Sequence, residues 1–357
     1  MAQKLGLLPR PQEDETLSSF LIRLANNHSA TPHELCAIVW PEAQFWVRDI
    51  DLTASEALIE QIAASTDIPH TSIYQMVLHD LAHRMGRRSG KSRGLQPGIL
   101  PIGIYHRTRR RYGQQFCKDC LDMNPPYLRR QWRLEFATTC VMHGTQLSDA
   151  CHVCDAPFIP HRHNALITRQ CHQCQSSFAN NKTQRANENA LAIQHFLTNL
   201  AYRTNSESIA RWKNTNTSAT PGEWLSGIRN LCRLLTFLAD GHGLRPKRSG
   251  LKWNFLRVAQ REMVLSIVCA WLDDWPRSFL QWTEKYKISQ ERLKEYGPWP
   301  PWIQNEIINL PSRTHTRKRK ASLSLRQLRR REGNTASYRM ARAKLLLDRA
   351  SSRGVRL

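Results

Sequence analysis

The sequence predicts a mainly α-helical protein with small zinc-stabilised segments of the ribbon or knuckle type. Apolar residues recur at helical spacing through residues 1–85 and again through residues 187–310. Between these stretches, eight metal-ligand residues stand in two regular sets of four. The order of these features predicts a helical amino-terminal domain, a central double zinc module and a helical carboxyl-terminal domain.

The predicted domain boundaries follow changes in composition along the chain. Residues 1–85 form the helical amino-terminal domain, and residues 86–116 form a basic connector rich in glycine, arginine and proline. The double zinc-binding module covers residues 117–180. A helical, tryptophan-rich domain covers residues 187–310, and residues 311–357 form a basic carboxyl-terminal tail.

Two helices of the amino-terminal domain carry clear start signals. Asp14 is expected to cap the first of them. The apolar stripe of this helix comprises Leu17, Phe20, Leu21 and Leu24. Thr31 supplies the N-cap of the second helix, with Pro32 at its first position and Glu34 as the capping-box acid.

Residues 55–64 and 71–83 are predicted to form two further helices joined by a short turn. Such a pair resembles a helix-turn-helix, a motif that binds nucleic acid. The polar side chains that could read bases from the second helix are Tyr74, Gln75 and His79. The alternative interpretation is an orthogonal helical pair in a small core.

More helices are predicted after the zinc module. They cover Glu188–Tyr202, Gly222–Asp240, Asn254–Leu272, Ser289–Tyr296 and Pro301–Leu310. A last helix over Asn334–Ala350 fits the pattern of the basic tail. The polar stretch 203–221 is the clearest linker by composition. We expect these helices to enclose an aromatic-rich core.

The metal ligands fall into two sets with regular spacing. The first ligand set is Cys117, Cys120, Cys140 and His143, and the second ligand set is Cys151, Cys154, Cys171 and Cys174. In each set, two pairs with a two-residue spacer flank a loop of 19 or 16 residues. The spacer lets both side chains of a pair point to one side of a tight turn, so two turns converge on one tetrahedral ion. Four protein ligands leave no position for a substrate water, so we predict two structural Zn²⁺ ions.

Other histidines lie near the predicted ligands and leave open an exchange at one position. They are His152, His161, His163 and His172. None of them completes a pair better than the eight residues named. The remaining cysteines, Cys36, Cys232 and Cys269, are dispersed and are predicted to be core thiols.

The charge balance predicts a polyanionic partner. Lys and Arg number 52 against 29 Asp and Glu, which gives a formal net charge of +23. Such an excess favours DNA or RNA, with an anionic membrane as the weaker alternative. No apolar stretch approaches the roughly 18 residues of a membrane span. We expect a cytoplasmic, nucleoid-associated protein.

Candidate nucleic-acid contacts concentrate in the connector and in the tail. They are Arg87, Arg88, Lys91, Arg93, Arg109, Arg110, Arg111, Arg317, Lys318, Arg319, Lys320, Arg329, Arg330 and Arg331. Arginines between glycines can approach phosphates closely without reading bases, and residues 313–356 carry a net charge of +13. Tyr338 is the sole aromatic residue there, so we expect sequence-tolerant binding. The alternatives are a solvated loop and a solubilising tail.

Two motifs that would indicate catalysis are incomplete. His79, Asp80 and His83 form an H-D-x-x-H, but aspartate replaces the general-base glutamate of a metalloprotease and no third ligand motif follows. The run 86–92 is one residue short of a P-loop and follows a helix rather than a strand. We therefore predict that the protein is not an enzyme.

Four motifs, taken in order, resemble those of a known family. The opening stretch 8–25 contains Leu-Pro-Arg-Pro and Asp-Glu-Thr-Leu-Ser-Ser-Phe-Leu-Ile-Arg-Leu-Ala. A C-x-x-C-L motif follows at Cys117–Leu121, Tyr-x-Arg-x-x-Trp at Tyr127–Trp132 and C-x-x-H-x-x-x-L at Cys140–Leu147. With the two C-x-x-C pairs after them, these motifs resemble the TniQ/TnsD family of transposition target-selection proteins.

The resemblance extends further along the chain. Trp275–Phe279 is similar to a segment of the longer family members, so the resemblance covers roughly residues 7–280. It implies a bacterial adaptor without catalytic activity, from transposons that use a heteromeric transposase and an AAA+ ATPase regulator. Such adaptors recognise the target and recruit that ATPase. The tail beyond residue 310 is not covered.

Two routes of target recognition are implied by the resemblance. One is docking at the crRNA-processing end of an RNA-guided CRISPR effector, where such proteins form a head-to-tail homodimer. The other is direct binding of attachment-site DNA. The chain is shorter than the direct readers, which favours the first route, and its net charge of +23 favours the second. The sequence leaves both open.

Two functions from other classes remain as alternatives. A zinc-dependent nuclease would need an open metal position or an acidic cluster, and Asp119, Asp122 and Asp149 are the carboxylates to test. A zinc-containing transcriptional regulator would use the helices of residues 55–83 to bind one operator.

Overall fold

The part of the chain before residue 312 is mainly helical. The computed structural model describes residues 4–86, 96–105, 108–109, 111–162, 169–202, 212, 219–236 and 252–312. Contacts between Cα positions divide the chain into two units, residues 1–311 and 312–357. Apart from Ser312, the second unit lies outside the described residues, and so does the helix predicted at Asn334–Ala350.

Thirteen α-helices in the described ranges confirm the predicted fold class. They are α1 (Leu17–Asn27), α2 (Pro32–Val39), α3 (Ile50–Thr53), α4 (Glu56–Thr66), α5 (His70–Met76), α6 (His79–Arg84), α7 (Lys118–Asp122), α8 (Glu188–Tyr202), α9 (Pro221–Leu235), α10 (Val258–Asp273), α11 (Arg277–Lys285), α12 (Gln290–Lys294) and α13 (Pro301–Ile308). Within those ranges, no helix combines the length and the hydropathy needed to cross a membrane.

Two short hairpins accompany the helices and were not predicted. β1 (Ile104–Tyr105) pairs antiparallel with β2 (Thr108–Arg109). β3 (Thr139–Cys140) pairs with β4 (Thr145–Gln146) and places Cys140 opposite Thr145. Strands of two residues are too short to show an alternating pattern in the sequence.

The amino-terminal core forms around α1. Leu17, Phe20, Leu21 and Leu24 are all completely buried, as the stripe predicts. The predicted cap at Asp14 is wrong: Thr16 caps α1 by accepting a hydrogen bond from the Ser19 amide. Asp14 has a left-handed backbone (φ 56°), which turns its carboxylate toward other elements.

The second predicted cap is confirmed. The Thr31 hydroxyl accepts from the Glu34 amide at 3.2 Å, and the Glu34 carboxylate accepts from the Thr31 amide at 3.0 Å. These two bonds satisfy backbone donors that have no partner within the helix. The packing of α2 against α1 therefore begins from a well-fixed first turn.

The predicted helix 71–83 is interrupted. α5 ends at Met76, Val77 has extended backbone angles, and α6 begins at His79. The Leu78 amide donates instead to the Asp51 carbonyl at 2.7 Å, and both Val77 and Leu78 are completely buried. A tertiary hydrogen bond thus replaces a helical one, and α4 and α5 form a short pair joined by residues 67–69.

Helices α8, α9 and α10 pack together in the second hydrophobic core. The predicted bounds of α8 are confirmed, whereas α10 begins at Val258 and not at residue 254. Helix α11 was not predicted. Trp212, within the predicted linker, is buried against Phe196 with ring centroids 4.9 Å apart. The rest of residues 203–218 lies outside the described part of the chain.

Residues 129–139, here called the central strip, connect the two cores. On the amino-terminal side, Arg130 pairs with Asp80, and Arg133 pairs with Asp49 and Asp51. The strip lies between Cys120 and Cys140, so it belongs to the loop that the first ligand set closes.

The other side of the central strip contacts the carboxyl-terminal helices. Glu135 pairs with Arg229 of α9. The Gln194 side chain of α8 accepts from the Thr138 and Thr139 amides at 2.7 and 2.9 Å. Arg261 of α10, which is fully buried, donates to the Glu135 carbonyl at 2.7 Å. Fixed polar contacts thus join elements that are far apart in sequence.

The predicted connector is partly built into the core. Ile99, Leu100 and Phe116 are 0–1 % exposed. The Leu100 amide donates to the Arg133 carbonyl at 2.8 Å, so this stretch runs beside the central strip. Residues 87–95, which carry much of the connector's charge, lie outside the described residues.

Candidate metal centres

The structure brings the four side chains of the first ligand set together. The Nδ1 atom of His143 lies 3.4, 3.3 and 3.5 Å from the Sγ atoms of Cys117, Cys120 and Cys140. The Sγ atoms of Cys120 and Cys140 are 3.6 Å apart. The three thiols are buried and the histidine is exposed, so the set lies at the edge of the core.

These distances fit a tetrahedral zinc ion. With Zn–S bonds of about 2.3 Å and Zn–N bonds of about 2.0 Å, tetrahedral geometry separates two sulfurs by about 3.8 Å and a sulfur from a nitrogen by about 3.5 Å. The observed separations of 3.3–3.6 Å lie close to both values. Three thiolates and one imidazole are also a donor set that zinc prefers.

The second ligand set is equally close but more exposed. Sγ of Cys151 is 3.6 Å from Sγ of Cys174, and Sγ of Cys154 is 3.6 Å from Sγ of Cys171. All four sulfurs lie within 4.8 Å of one another. Cys174 is exposed and Cys154 half-buried, so this set could hold a metal ion near the surface.

Three of the four ligand pairs share one backbone turn. Four residues after the first cysteine of each pair stand Gly144, Asp155 and Gln175, all with left-handed backbones (φ 62°, 55° and 60°). Each of their amides donates to the carbonyl of that cysteine, at 2.9–3.0 Å. The fourth pair, Cys117 and Cys120, instead begins α7. These turns point both ligands of a pair at the same place.

Hydrogen bonds and burial shift the pKa values of the ligand thiols in both directions. Bonds from Cys117 and Cys120 lower the pKa of Cys140 to about 3, whereas the bond with Cys117 raises the pKa of Cys120. In the second ligand set, Ser176 Oγ lies 3.1 Å from Sγ of Cys174 and lowers the pKa of that thiol to about 6. A thiolate is the form that coordinates zinc.

The neighbouring histidines do not join either cluster in the described part of the chain. His152 contacts the Asn181 side chain at 2.6 Å, and His161 stacks on Trp46 with ring centroids 4.6 Å apart. Burial lowers the pKa of His172. His163 lies outside the described residues. The grouping of the eight predicted ligands therefore needs no exchange.

The incomplete catalytic motifs have structural partners. Asp80 pairs with Arg130 of the central strip, and His79 contacts the Leu52 carbonyl at 3.1 Å. Asp149, considered for a nuclease, is buried and accepts from the Val258 amide at 2.9 Å and from Arg257. The run 86–92 lies, except for Gly86, outside the described residues.

The predicted nucleic-acid contacts are mostly beyond the described structure. Arg87, Arg88, Lys91, Arg93, Arg110, Arg317, Lys318, Arg319, Lys320, Arg329, Arg330 and Arg331 lie outside the described residues. Arg109 is in β2, of which the backbone is described. Arg111 is exposed, and its guanidinium lies 3.9 Å from the ring centroid of Phe255. The predicted role of these residues stays a prediction.

The first ligand set lies within a stretch of sequence that matches a known protein family. Residues 7–147 match the TniQ family model. The chain contains a TniQ domain. This TniQ match includes α1–α7, the central strip and the first ligand set, and it ends before Cys151. No curated protein matches the chain.

The TniQ domain supports a function in general terms. TniQ proteins are adaptors of transposition without catalytic activity, so the chain is a transposition-associated target-selection protein. Sequence reasoning missed two features of the TniQ region. It gave no structural role to Arg130 and Arg133, although both lie in or beside the Tyr-x-Arg-x-x-Trp motif. It also gave no role to the apolar residues Val141 and Met142. They lie between Cys140 and His143, and because these two ligands turn inward, the residues between them are exposed.

Proposed function

We propose that this TniQ protein is an adaptor that recognises a transposition target and recruits the AAA+ ATPase regulator of the transposon. The TniQ match over residues 7–147 carries the proposal. The target would be recognised through an RNA-guided CRISPR effector or by direct attachment-site DNA binding. On either route, the protein acts where the target DNA lies, at the bacterial nucleoid.

The metal chemistry supports a scaffold rather than a catalyst. Each ligand set supplies four protein donors, three thiols with one imidazole or four thiols. Zinc bound this way has no position left to activate a water. Bound zinc would then hold the central strip, whose residues Arg133 and Glu135 join the amino-terminal and carboxyl-terminal helices.

The distribution of charge favours nucleic-acid contacts outside the helix pair. Residues 55–79, which include α4 and α5, contain no lysine or arginine, whereas they contain Glu56, Glu60 and Asp67. Phosphate binding needs cations. We therefore propose that the connector and tail arginines contact nucleic acid, and the function of an operator-binding regulator through α4 and α5 is not favoured.

A binding experiment with the natural partners tests the adaptor function. The full zinc-loaded chain is immobilised and exposed to the ATPase encoded beside it, with ATP, and then to a crRNA-loaded effector or a duplex of the attachment site. We expect saturable ATPase binding and retention of one of the two targets. Binding of neither target, or failure to retain the ATPase, would contradict the proposal.

A salt titration separates direct DNA binding from docking on an effector. Replacement of Arg317, Lys318, Arg319 and Lys320 by glutamine should lower the slope of log Kd against log salt by up to about 3.6, since each phosphate contact adds roughly 0.9. The matched control replaces four other exposed cations, Arg277, Lys285, Lys287 and Lys294, and should leave the slope unchanged. Equal effects of both variants would show that the tail has no specific role.

A further inference from the structure

A groove of about 590 Å³ opens beside the first ligand set. Its walls come from residues 12–14, from positions within 123–131, from Val141 and Met142, and from positions within 198–202. We call it the methionine groove. Four segments that are distant in sequence thus meet around one cavity, and three of them belong to the TniQ region.

Exposed apolar side chains concentrate in this groove. The described residues include nine large apolar side chains that are exposed. Three of them line the methionine groove: Met123 (46 % exposed), Val141 (37 %) and Met142 (52 %). Scattered exposed apolar residues need no explanation, but a cluster in a concave surface indicates a binding site. Methionine is well suited to such sites because its flexible thioether adapts to different partners.

The first ligand set determines the position of these side chains. Cys140 and His143 turn toward the other two ligands, so Val141 and Met142 between them face outward. Met123 follows α7, the helix that contains Cys120. Both apolar walls are therefore fixed by the same four ligands. A metal ion bound there would fix the shape of the groove.

Polar contacts within the protein hold the walls of the groove in place. Asp14 accepts from the Tyr202 hydroxyl at 2.6 Å and from the Gln131 amide at 3.0 Å. The Arg129 guanidinium lies 4.6 Å from the ring centroid of Tyr127. Its Nη2 atom is 2.8 Å from the Met142 sulfur. The wall from residues 12–14 is thus bonded to α8 and to the central strip.

The charge of the groove selects the class of partner. Glu13 presents an exposed carboxylate, whereas the carboxylate of Asp14 is already bonded to Tyr202 and Gln131. The half-buried Arg129 lies over the Tyr127 ring. The exposed charge of the groove is therefore acidic, in a chain of net charge +23. It would repel the phosphates of a nucleic acid and attract lysine or arginine. Together with the exposed methionines, it fits a ligand that is both apolar and basic.

We propose that the methionine groove binds an extended peptide segment of a partner protein in which large apolar side chains alternate with lysine or arginine. Alternate side chains of an extended peptide point to opposite sides, so apolar residues can enter the groove while the longer basic side chains stay outside it, within reach of the exposed Glu13 at its edge. The inference deepens the proposed function and rests on it for the identity of the partner. Nucleic acid would bind elsewhere on the chain.

Methyl NMR of the full zinc-loaded chain tests the proposal. The chain has seven methionines, and ¹³C-methyl labelling makes Met123 and Met142 direct reporters of the groove. The probes are a ten-residue peptide of alternating Leu and Lys, the same peptide with Glu for Lys, the same with Ser for Leu, and a 20-base-pair duplex. We expect the Leu/Lys peptide to shift both resonances saturably, while the buried Met76 and Met85 stay unchanged.

Point variants separate groove binding from adhesion of a cationic peptide. Met142→Gln should weaken binding of the Leu/Lys peptide by at least about fivefold, because it removes apolar contact area, and Glu13→Gln by about twofold to fivefold. The matched controls are Met263→Gln, at an exposed methionine of α10, and Glu60→Gln, at an exposed glutamate of α4. Both controls should bind as the unchanged chain does. Circular dichroism and zinc content verify that each variant is folded.

Each other result counts against the proposal. It is overturned if no probe shifts Met123 or Met142, if the Glu peptide binds as tightly as the Lys peptide, if the duplex is the ligand that shifts them, or if the controls weaken binding as much as the groove variants. If the unchanged chain and Met142→Gln retain the ATPase equally, the proposed role of the groove is contradicted but the adaptor function is not. If the peptide binds but the ATPase is not retained, the adaptor function is contradicted but peptide binding in the groove is not.

Discussion

The guanidinium of Arg133 donates to the carboxylate of Asp51 at 3.1 Å, although 82 residues separate them in the sequence. Both side chains are buried, at 0 % and 2 % exposure. Burial, with Asp49 as the next cause, raises the pKa of Asp51 above its ordinary value, and Arg133 opposes that shift. The arginine is therefore the group that opposes protonation of Asp51 inside the protein.

Loss of Arg133 should be strongly destabilising. In Arg133→Met, Asp49 and Asp51 would face each other without a cation, and we expect the free energy of unfolding to fall by about 3–5 kcal/mol. Urea denaturation of the zinc-loaded chain measures it. The control is Arg277→Met, since Arg277 is 76 % exposed and 3.9 Å from its partner Asp274. Equal effects of the two substitutions would mean that the buried pair contributes nothing.

Loss of the first ligand set should disrupt cooperative unfolding, whereas loss of the second should not. Cys120→Ser opens the loop that contains the central strip, so we expect loss of one zinc ion and of cooperative unfolding. Cys174→Ser, at the exposed edge of the second ligand set, should also lose one zinc ion but keep a cooperative transition. Elemental analysis with thermal denaturation measures both. The control Cys36→Ala, at a buried thiol outside the sets, should retain both ions.

Two glycines should respond in opposite directions to replacement by alanine. Gly98 has φ +76°, and a Cβ atom there would lie 2.6 Å from Cβ of Met85, so Gly98→Ala should cost at least roughly 1–3 kcal/mol. Gly222 near the start of α9 has no atom within 4 Å of such a Cβ. Gly222→Ala should therefore stabilise by about 0.4–1 kcal/mol. Melting temperatures that change in the same direction would contradict this assignment.

Loss of the Gln194 side-chain amide should strongly reduce the stability of the fold. Its oxygen accepts from two buried backbone amides, those of Thr138 and Thr139. In Gln194→Leu both donors lose their partner, which should destabilise by about 2–5 kcal/mol. The matched substitution at an exposed glutamine, Gln61→Leu in α4, should change stability by about 0.5 kcal/mol or less. Hydrogen exchange at residues 138 and 139 would show the same contrast locally.

Local chemistry explains what the sequence predicted well. Tetrahedral coordination restricts ligand types and spacing so strongly that the sequence alone groups the same eight residues that the structure brings together. The capping box at Thr31 and Glu34 depends on four consecutive residues, and the apolar stripe of α1 on a single helix. Features of this kind need no knowledge of distant contacts.

Distant contacts explain what was missed. Val77 and Leu78 continue an apolar pattern, and the helix breaks there because the Asp51 carbonyl captures the Leu78 amide. Arg130, Arg133 and Arg261 are buried, with side-chain partners 50 to 146 residues away. From composition alone, such arginines are expected on the surface, so their buried positions were not predicted. The methionine groove likewise forms from four segments, so no single stretch of sequence reveals it.

The polar contacts of the central strip determine which fragments of this protein can fold on their own. The family match ends at residue 147, but the backbone groups of residues 135–139 are satisfied by Gln194 and Arg261, which come later. A fragment ending at residue 147 would keep all four donors for its zinc and still present bare amides, carbonyls and an unneutralised Glu135 to solvent. Zinc uptake by such a fragment would thus be no sign of native folding, and boundaries for expression belong beyond α10.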